Sequence, residues 1–412
     1  MIALSPTFAY LDPGSGSALV GTLIALAGAG LFSLKSLVYR LLRKEPLAKE
    51  VEPDIALFSE GRNYWGTFRL LVEELISRKV HFAYYTLDLH DPALLIDSDY
   101  MHARLFDKNK SASFARLAKV KAKILLATTP NIGTPGYPLK RPADVKKMAH
   151  VFHAFADISA YHIGSLDNYD IVLTVGPHQD KYIREVEAKR GLPQKWLVPM
   201  GLPYFDEQFL KKQSAGSASS HVESRKTVLV APSWGAKGCL REYGMDFVLA
   251  LAKAGFFDVV IRPHPQSFLA EPDFITECQR RTEPYPNIVW DNETVGTKAM
   301  EASDILISDT SSIRFDYAFL YGKPVITLEI PRTSQTEYEG SNMSEIWTDI
   351  AAPRLGKVVG KNEIGEIVKV VTDVLNTPAT ADDIIAFRTA TITNLGTSAQ
   401  AIADFLAKEA AG

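Results

Sequence analysis

Three features of the sequence predict an α/β fold with two doubly wound domains that face a cleft, preceded by one amino-terminal transmembrane helix. Short β-branched runs alternate with helical patterns along most of the chain. A polar segment divides this alternation into two series, and a long uncharged stretch precedes the first series. Strands and helices that alternate at this spacing are typical of βαβ units and a mostly parallel sheet. The length of 412 residues suits two such domains.

The composition is that of a globular protein, with 46% hydrophobic and 23% charged residues. The net charge of −3 supplies no overall basic field, which argues against a nucleic-acid partner. The two cysteines, Cys239 and Cys278, are far apart and have neither metal-ligand nor disulfide spacing. We expect neither a metal nor a cofactor.

The amino-terminal stretch predicts a membrane anchor. Residues 13–34 contain no charged side chain, and these 22 residues match the roughly 20 apolar residues that cross a bilayer. A basic flank follows directly, formed by Lys35, Arg40, Arg43 and Lys44. By the positive-inside rule this flank is cytoplasmic, so the amino terminus lies outside the inner membrane and the rest of the chain lies in the cytoplasm.

A cleavable signal peptide and a buried core helix are the alternatives to the anchor. A signal peptide usually carries positive charge before its apolar run, whereas residues 1–12 contain no Lys or Arg. A core helix is seldom so long and so uniformly uncharged. We therefore predict a single-pass anchor over residues 1–46, with its basic segment on the inner leaflet.

The first α/β domain is predicted over residues 53–210. Its strand candidates are residues 54–58, 81–87, 123–128, 169–175 and 196–200. Helical periodicity is found over residues 68–76, 144–157 and 178–189.

Residues 211–226 are predicted to link the two domains, because they are polar and a fresh strand pattern starts directly after them. A surface loop within one domain is the alternative. The second domain is predicted over residues 227–412, with a tail from residue 381 that is helical in two pieces divided by Gly396. Its strand candidates are residues 227–231, 257–261, 288–290, 305–307 and 325–328.

A polar turn after the strand at residues 305–307 is the strongest candidate for a binding site. In open α/β sheets, ligands bind outside the carboxyl ends of the strands, and free N–H groups at a helix start favour an anion. The turn consists of Asp309, Thr310, Ser311 and Ser312. Asp316 lies one helical turn further on, where it can reach a ribose hydroxyl. The alternative is that Ser311 or Ser312 is only a helix N-cap.

Two further loops follow strands of the same domain. Arg262 and His264 come directly after the strand at residues 257–261, within the sequence RPHP. A guanidinium fork suits phosphate, and an imidazole can donate to a phosphate oxygen or act on a leaving group. Ser233 follows the strand at residues 227–231 and can face the cleft. The alternatives are that His264 only caps a neighbouring helix and that Ser233 sits in a plain turn.

A histidine-rich segment marks the first domain. His153 and Asp157 are four residues apart and would share one face of the predicted helix at residues 144–157. A carboxylate placed there can orient an imidazole as a general base. A metal site is a second possibility, although the spacing with His150 is not a familiar zinc pattern. A partly buried helix with polar ends is the third.

These motifs resemble the CDP-glycerol glycerophosphotransferase family of teichoic-acid-type polymer synthesis. The resemblance rests on RPHP after a strand and on the downstream SDTSSIRFDYAFLYGKPVI. The APSW turn and the GLPYFD segment also correspond, and the resemblance covers roughly residues 140–400. It implies a membrane-associated transferase of GT-B architecture, in which two Rossmann-like domains face a cleft.

The resemblance also implies roles for individual residues. It implies that Arg262, Asp309, Ser311, Ser312 and Asp316 bind the donor and that His153 and His264 take part in the reaction. The motifs themselves add Thr310 and Ser233 to the expected donor site, and Asp157 as a partner of His153 in the reaction. The implied partners are CDP-glycerol or a nucleotide-sugar donor and a lipid-linked or polymer acceptor.

We therefore expect transfer of a glycerophosphate-type group from CDP-glycerol, or a similar CDP-alditol, to an acceptor hydroxyl with release of CMP. A glycosyltransferase that uses a nucleotide sugar is the first alternative, because it needs the same phosphate contacts. A non-catalytic nucleotide-binding scaffold on the inner membrane is the second.

Overall fold

The computed structural model describes residues 53–106, 111–155, 157–215, 225–293, 297–331, 337–377 and 380–412. The predicted anchor over residues 1–46, including the membrane segment 13–34, lies outside the described residues, as do residues 216–224 of the predicted linker. No helix in the described ranges is long and apolar enough to cross a membrane. Pro53–Gly412 forms a single unit in which two lobes pack together.

The first lobe is built on seven parallel strands. They are β1 (Ile55–Ser59), β2 (Phe82–Thr86), β3 (Met101–Leu105), β4 (Lys121–Ala127), β5 (Asp144–Val151), β6 (Ile171–Thr174) and β7 (Trp196–Pro199). Their order across the sheet is β3-β2-β1-β4-β5-β6-β7. The chain therefore changes direction across the sheet between β1 and β4, which places a crevice at the carboxyl ends of these two strands.

The helices described in this lobe are α1 (Trp65–Ser77), α2 (Ser111–Leu117), α3 (Pro177–Arg190) and α4 (Pro203–Ala215). Short 3-10 turns lie at Arg62–Tyr64, Pro92–Leu95 and Ile158–Ala160. Helix α1 buries Phe68, Leu71, Val72 and Leu75, whose spacing of three and four residues forms one apolar face. This face packs on the same side of the sheet as Ile55 and the other odd-numbered residues of β1.

The second lobe is built on six parallel strands. They are β8 (Lys226–Ala231), β9 (Phe257–Ile261), β10 (Ile288–Trp290), β11 (Ile305–Ser308), β12 (Val325–Leu328) and β13 (Gly356–Val359). Their order is β10-β9-β8-β11-β12-β13, so the change of direction falls between β8 and β11. The two sheets share the doubly wound arrangement predicted from the sequence.

The helices that follow these strands complete the second half of the chain. They are α5 (Cys239–Tyr243), α6 (Asp246–Lys253), α7 (Pro265–Ala270), α8 (Pro272–Thr282), α9 (Thr297–Ala302), α10 (Ile313–Tyr321), α11 (Trp347–Leu355), α12 (Ile367–Leu375), α13 (Thr380–Thr391) and α14 (Ser398–Ala411). Short 3-10 turns lie at Glu339–Asn342 and Ile364–Glu366.

The helix predicted over residues 144–157 is wrong, because the chain forms strand β5 there. Val145, Met148 and Val151 are spaced as on a helix, yet Met148 packs on one face of the sheet and Val151 on the other. A strand buried on both faces carries apolar residues without strict alternation, so periodicity alone does not separate it from a buried helix. The edge strands β3 and β13 were not predicted, because their residues are largely half-exposed or exposed.

The last helix does not complete the second lobe. Helix α14 packs on the first lobe instead, where Ile402 and Leu406 join the core formed with Leu57. Asp206 of α4 holds the entry to this helix by accepting the Gly396 N–H at 2.7 Å and the Ser398 N–H at 2.6 Å. The carboxyl-terminal helix of the domain predicted over residues 227–412 therefore packs with the first lobe. Helix α4 in turn runs through Ala215, beyond the predicted start of the linker.

An aromatic core joins the lobes. The ring of Phe155, after β5, lies 4.9 Å from Phe205 of α4, and 6.2 and 5.3 Å from Phe315 and Phe319 of α10. All four side chains are fully buried. Burial of aromatic side chains is among the larger contributions to packing, so this core fixes α10 at the boundary between the lobes. The start of α10 is thereby directed to the cleft.

Candidate functional site

The carboxyl edge of the second sheet brings three predicted loops together. Strands β9 and β11 both neighbour β8, so the loops after these strands share one edge. Ser233 in the loop after β8 is bonded to Asp309 after β11. Trp234 in the same loop lies with its ring 6.5 Å from that of His264, after β9. The polar turn predicted to bind an anion and the loop that carries Arg262 and His264 therefore border one site.

Asp309 is the fully buried centre of this edge. Its Oδ2 accepts the N–H of Ser233 at 2.9 Å and the N–H of Cys239 at 2.8 Å. Its Oδ1 accepts the Ser233 hydroxyl at 2.5 Å and the Ser311 N–H at 3.2 Å. These bonds commit Asp309 and Ser233 to each other. We therefore assign both residues to holding the loops rather than to contacting a donor.

The loop after β8 is fixed by further contacts. The N–H of Gly235 donates to Glu271 Oε1 at 3.0 Å, and Arg241 pairs with the other oxygen of Glu271. At Gly238 the backbone approaches so closely that an added Cβ would lie 2.2 Å from the carbonyl oxygen of Ser233. Only glycine fits there without a backbone shift.

The start of α10 retains uncommitted hydrogen-bond donors. Ser312 is the N-cap residue, and its side chain makes no cap hydrogen bond. Ser311 Oγ accepts the Ile313 N–H at 3.4 Å, which is a long contact. Thr310 is exposed beside them. The hydroxyls of Thr310 and Ser312, together with the positive end of the helix dipole, suit an anion at this position.

Asp316 lies one turn into α10 and is buried, with its Oδ1 atom lacking a hydrogen-bond partner among the described residues. Burial raises the pKa of this carboxyl to about 7. Its charge is also the main reason why the pKa of Tyr204 is raised above the usual range of a phenol. Because Tyr204 belongs to α4 of the first lobe, Asp316 faces the boundary between the lobes.

Arg262 is paired rather than free. Its Nη1 donates to Asp291 Oδ2 at 2.6 Å, and both side chains are largely buried. Asp291 follows β10, so this ion pair links two neighbouring strand ends. The guanidinium expected to bind phosphate therefore has part of its charge and one donor committed to a carboxylate.

His264 caps helix α7, as the alternative interpretation of RPHP expected. Its Nδ1 accepts the N–H of Gln266 at 3.1 Å. Nδ1 must be unprotonated to accept this bond, so in the neutral ring the proton lies on Nε2. Partial burial lowers the pKa of His264, which favours that neutral form. The cap thus leaves Nε2–H as a donor on an exposed ring.

His153 lies beyond the end of β5, at the carboxyl edge of the first sheet. Its ring packs edge-on against Tyr64, with ring centroids 5.0 Å apart. Its Nδ1 is buried without a hydrogen-bond partner in the described part of the chain. Burial lowers the pKa of His153 below 6.5, so the ring is neutral at pH 7 and can accept a proton.

The predicted pairing of His153 with Asp157 is not formed. Asp157 Oδ1 accepts the Ser159 N–H at 2.9 Å, and Oδ2 accepts the Thr348 N–H at 3.1 Å from the second lobe. The two residues would share a face only on a helix, and β5 ends at Val151. Asp157 is therefore a buried cap that connects the lobes.

Sequence reasoning missed Tyr64, Thr128 and Thr129, which lie at the same edge as His153. Tyr64 contacts the His153 ring directly, and the hydroxyls of Thr128 and Thr129 are buried. The signal was present, since Thr128 ends a predicted strand and Thr129 directly follows it. Tyr64 carried no such signal, because its contact joins residues 89 positions apart in the chain.

A protein family model matches more than half of the chain. The model of the family described as CDP-Glycerol:Poly(glycerophosphate) glycerophosphotransferase matches residues 136–390. No curated protein matches the chain in sequence.

Solved structures share the fold. The wall teichoic acid polymerase TagF, solved as a variant, is similar with a TM-score of 0.52 and 14% identity, covering 95% of this chain and 97% of that one. The UDP-GlcNAc 2-epimerase of Methanocaldococcus jannaschii, in complex with UDP-GlcNAc and UDP, has a TM-score of 0.56 and 11% identity, with coverages of 86% and 99%. The UDP-GlcNAc 2-epimerase of Neisseria meningitidis has a TM-score of 0.52 and 17% identity, with coverages of 86% and 99%. At these identities the likeness establishes a GT-B-like fold and leaves the reaction to the site residues.

Proposed function

This chain belongs to the CDP-glycerol:poly(glycerophosphate) glycerophosphotransferase family and is a transferase, and from that premise we propose its reaction. It transfers a glycerophosphate-type group from CDP-glycerol, or a similar CDP-alditol, to a hydroxyl of a membrane-associated acceptor and releases CMP. The observation that carries this proposal is one sheet edge at which the start of α10 and the Nε2–H of His264 both offer uncommitted donors.

The second lobe supplies the contacts to the donor. The diphosphate lies at the start of α10, where backbone N–H groups and the hydroxyls of Thr310 and Ser312 donate to its oxygens. His264 donates from Nε2 to an oxygen of the leaving phosphate. Asp316, one turn further along, accepts from a ribose hydroxyl. Donors that are fixed before the reaction stabilise charge as it develops, without cost of reorganisation.

The first lobe supplies the base. The acceptor oxygen attacks the β-phosphorus of the donor and forms a new P–O bond. The bond from that phosphorus to the bridging oxygen breaks, and its electron pair leaves with CMP. His153, neutral through burial, takes the proton of the acceptor hydroxyl. The position of His153 supports this step, since it lies two residues before Phe155, which packs against α10 of the second lobe.

The direct test is product release by the purified full-length protein. We expect CMP from CDP-glycerol in the presence of a glycerol-phosphate acceptor, and no UDP from UDP-sugars. UDP release alone would replace the proposal with sugar transfer from a nucleotide sugar. Release of neither nucleotide by folded protein would contradict both reactions and favour a scaffold.

The chain acts at the inner membrane in this proposal. The uncharged residues 13–34 and the basic flank after them support a single span with the amino terminus outside. Both native cysteines are buried, so Ser5→Cys introduces a distinct reactive thiol. We expect a membrane-impermeant maleimide to label this variant in spheroplasts. Labelling only after lysis would contradict the orientation.

A further inference from the structure

Four buried polar atoms at the edge of the first sheet have no hydrogen-bond partner among the described residues. They are Thr128 Oγ1, Thr129 Oγ1, His150 Nδ1 and His153 Nδ1. The ladder between β4 and β5 ends with Ala127 opposite His150, so the two threonines leave the sheet beside the segment that carries both histidines. Buried polar groups are rarely left unpaired in native proteins, and a group of them requires an explanation.

Further contacts connect two members of this cluster, Thr129 and His150, through Tyr169. Tyr169 donates its hydroxyl to the carbonyl oxygen of Thr129, and its ring lies 5.2 Å from that of His150. His150 Nε2 lies 3.3 Å from the hydroxyl of Tyr161. The proximity of His153 adds to burial in lowering the pKa of His150 to about 3. His150 is therefore a neutral imidazole held through Nε2, and its buried Nδ1 is unpaired among the described residues.

The cluster reaches the cleft through partly exposed residues. His153 and Tyr64 are half-buried and in contact with each other. Tyr137 is half-buried as well, and burial with the nearby charge of Glu60 raises its pKa to about 12. Glu60 also raises the pKa of Tyr64, so its carboxylate lies near the same entrance.

The chemistry of the cluster selects hydroxyl groups over phosphate. Threonine hydroxyls both donate and accept, neutral imidazole nitrogens do one or the other, and Glu60 accepts. A hydroxyl of a ligand matches each of these groups, whereas a phosphate would be repelled by Glu60. Arg62, the cation in the adjoining loop, is bonded to Asp88 at 2.7 Å.

We propose that Thr128, Thr129 and His150 form a pocket for the polyol end of the acceptor and determine its specificity. This inference rests on the proposed function, since His153 at the pocket entrance takes the proton of the reacting hydroxyl. The other hydroxyls of the polyol bond with the buried threonines and His150. The acceptor is then an alditol with neighbouring hydroxyls rather than a simple alcohol.

The experiment compares two ligands that differ only in these hydroxyls. Calorimetry measures the affinity for sn-glycerol 3-phosphate and for propyl phosphate. Both ligands carry the same phosphate, so its contribution cancels in the ratio of the two affinities. We expect the wild type to prefer sn-glycerol 3-phosphate by about tenfold, the size of one or two net hydrogen bonds. Thr128→Val and Thr129→Val should reduce this preference towards parity.

Thermal melts provide a second readout, with Thr174→Val as the matched control. Thr174 ends β6 of the same sheet, and its buried hydroxyl donates to Asp180 at 2.7 Å. Loss of that bond should lower the melting temperature and leave the ligand preference intact. Thr128→Val and Thr129→Val remove hydroxyls without a protein partner, so they should melt at or above the wild-type temperature.

Two outcomes would overturn the pocket. One is a wild type that binds both ligands equally. The other is a pair of valine variants that melt lower and keep the preference, which would make the hydroxyls structural. Failure of the proposed function is a different result, since absence of CMP release with an intact hydroxyl preference rejects the reaction and retains the pocket.

Discussion

The carboxyl edges of the two sheets differ in how their polar side chains are satisfied. In the second lobe, Asp309 accepts four hydrogen bonds and Arg262 pairs with Asp291. In the first lobe, the buried hydroxyls of Thr128 and Thr129 have no partner among the described residues. Asp309 and Arg262 at the second edge are therefore satisfied within the protein, whereas the buried threonines at the first edge keep hydrogen-bonding capacity in reserve.

This difference corresponds to the chemistry proposed for each lobe. A diphosphate carries formal charge and is stabilised best by hydrogen-bond donors that are already fixed in position. The bonds of Asp309 fix the loops beside these donors. An acceptor alcohol is neutral and is recognised through hydrogen bonds that it completes itself. Residues that serve a ligand in this way are expected to contribute little to the stability of the free protein.

The largest expected effect is on activity at the first edge. His153→Ala should lower the rate of CMP release by about 10²- to 10⁴-fold, the usual contribution of a general base. In the wild type, the rate should rise with pH through the pKa of His153 and level off above it. Because burial lowers this pKa, the plateau should begin at a lower pH than it would for an exposed histidine. Single-turnover assays over pH 5–8 measure both effects.

The exposed His90 is the matched control, and His90→Ala should leave the rate unchanged. A His153→Ala variant that keeps the wild-type rate while folded would remove the base from the proposal.

The largest expected effect on stability is at the second edge. Asp309→Ala leaves the buried Cys239 N–H and the half-buried Ser233 and Ser311 N–H groups without their acceptor, and we expect a loss of about 3–5 kcal/mol in the free energy of unfolding. Asp304→Ala is the control, since among the described residues Asp304 accepts the Thr227 N–H and pairs with the exposed Lys226. Its loss should be about 1 kcal/mol. Equal losses in urea denaturation would show that the edge is not organised by Asp309.

Asp316, at the boundary between the lobes, should make the stability of the protein depend on pH. Its pKa is raised from 3.8 to about 7, so between these values the folded protein holds a proton that the unfolded chain releases. Stability therefore falls as pH rises through this window, by up to about 4 kcal/mol in total. Asp316→Asn removes this penalty. Urea denaturation should show the variant gaining on the wild type from pH 5 to pH 8, and parallel pH curves would contradict the raised pKa.

The smallest effect separates two roles of His264. His264→Ala removes both the cap of α7 and the Nε2–H donor, and should cost about 1 kcal/mol of stability as well as activity. Asparagine is a good N-cap residue, so His264→Asn should keep the stability and still lose CMP release. If His264→Asn retains full activity, the cap is the whole function of this side chain.

The sequence predicted ten of the strands because each is a short apolar run closed by a turn, which local pattern reveals. It also placed Ser233 and Asp309 at one edge, although it assigned both to a ligand. Their mutual bond joins residues 76 positions apart, and no local pattern reports it. The predicted pairing of His153 with Asp157 is absent for a related reason. It required a helix over residues 144–157, whereas the chain forms strand β5 there, which is buried on both faces of the sheet.

The sequence by itself determined the two parallel sheets and the polar turns at their carboxyl ends, because strand, turn and helix are encoded within a few neighbouring residues. Only the tertiary structure decided which polar groups satisfy one another. It brought helix α14 back to the first lobe and packed Phe155 against α10. It also left Thr128 and Thr129 without a partner in the described chain. The physical reason is that hydrogen-bond satisfaction is a property of atoms that meet in space, and distant segments meet only when the lobes close on their shared core.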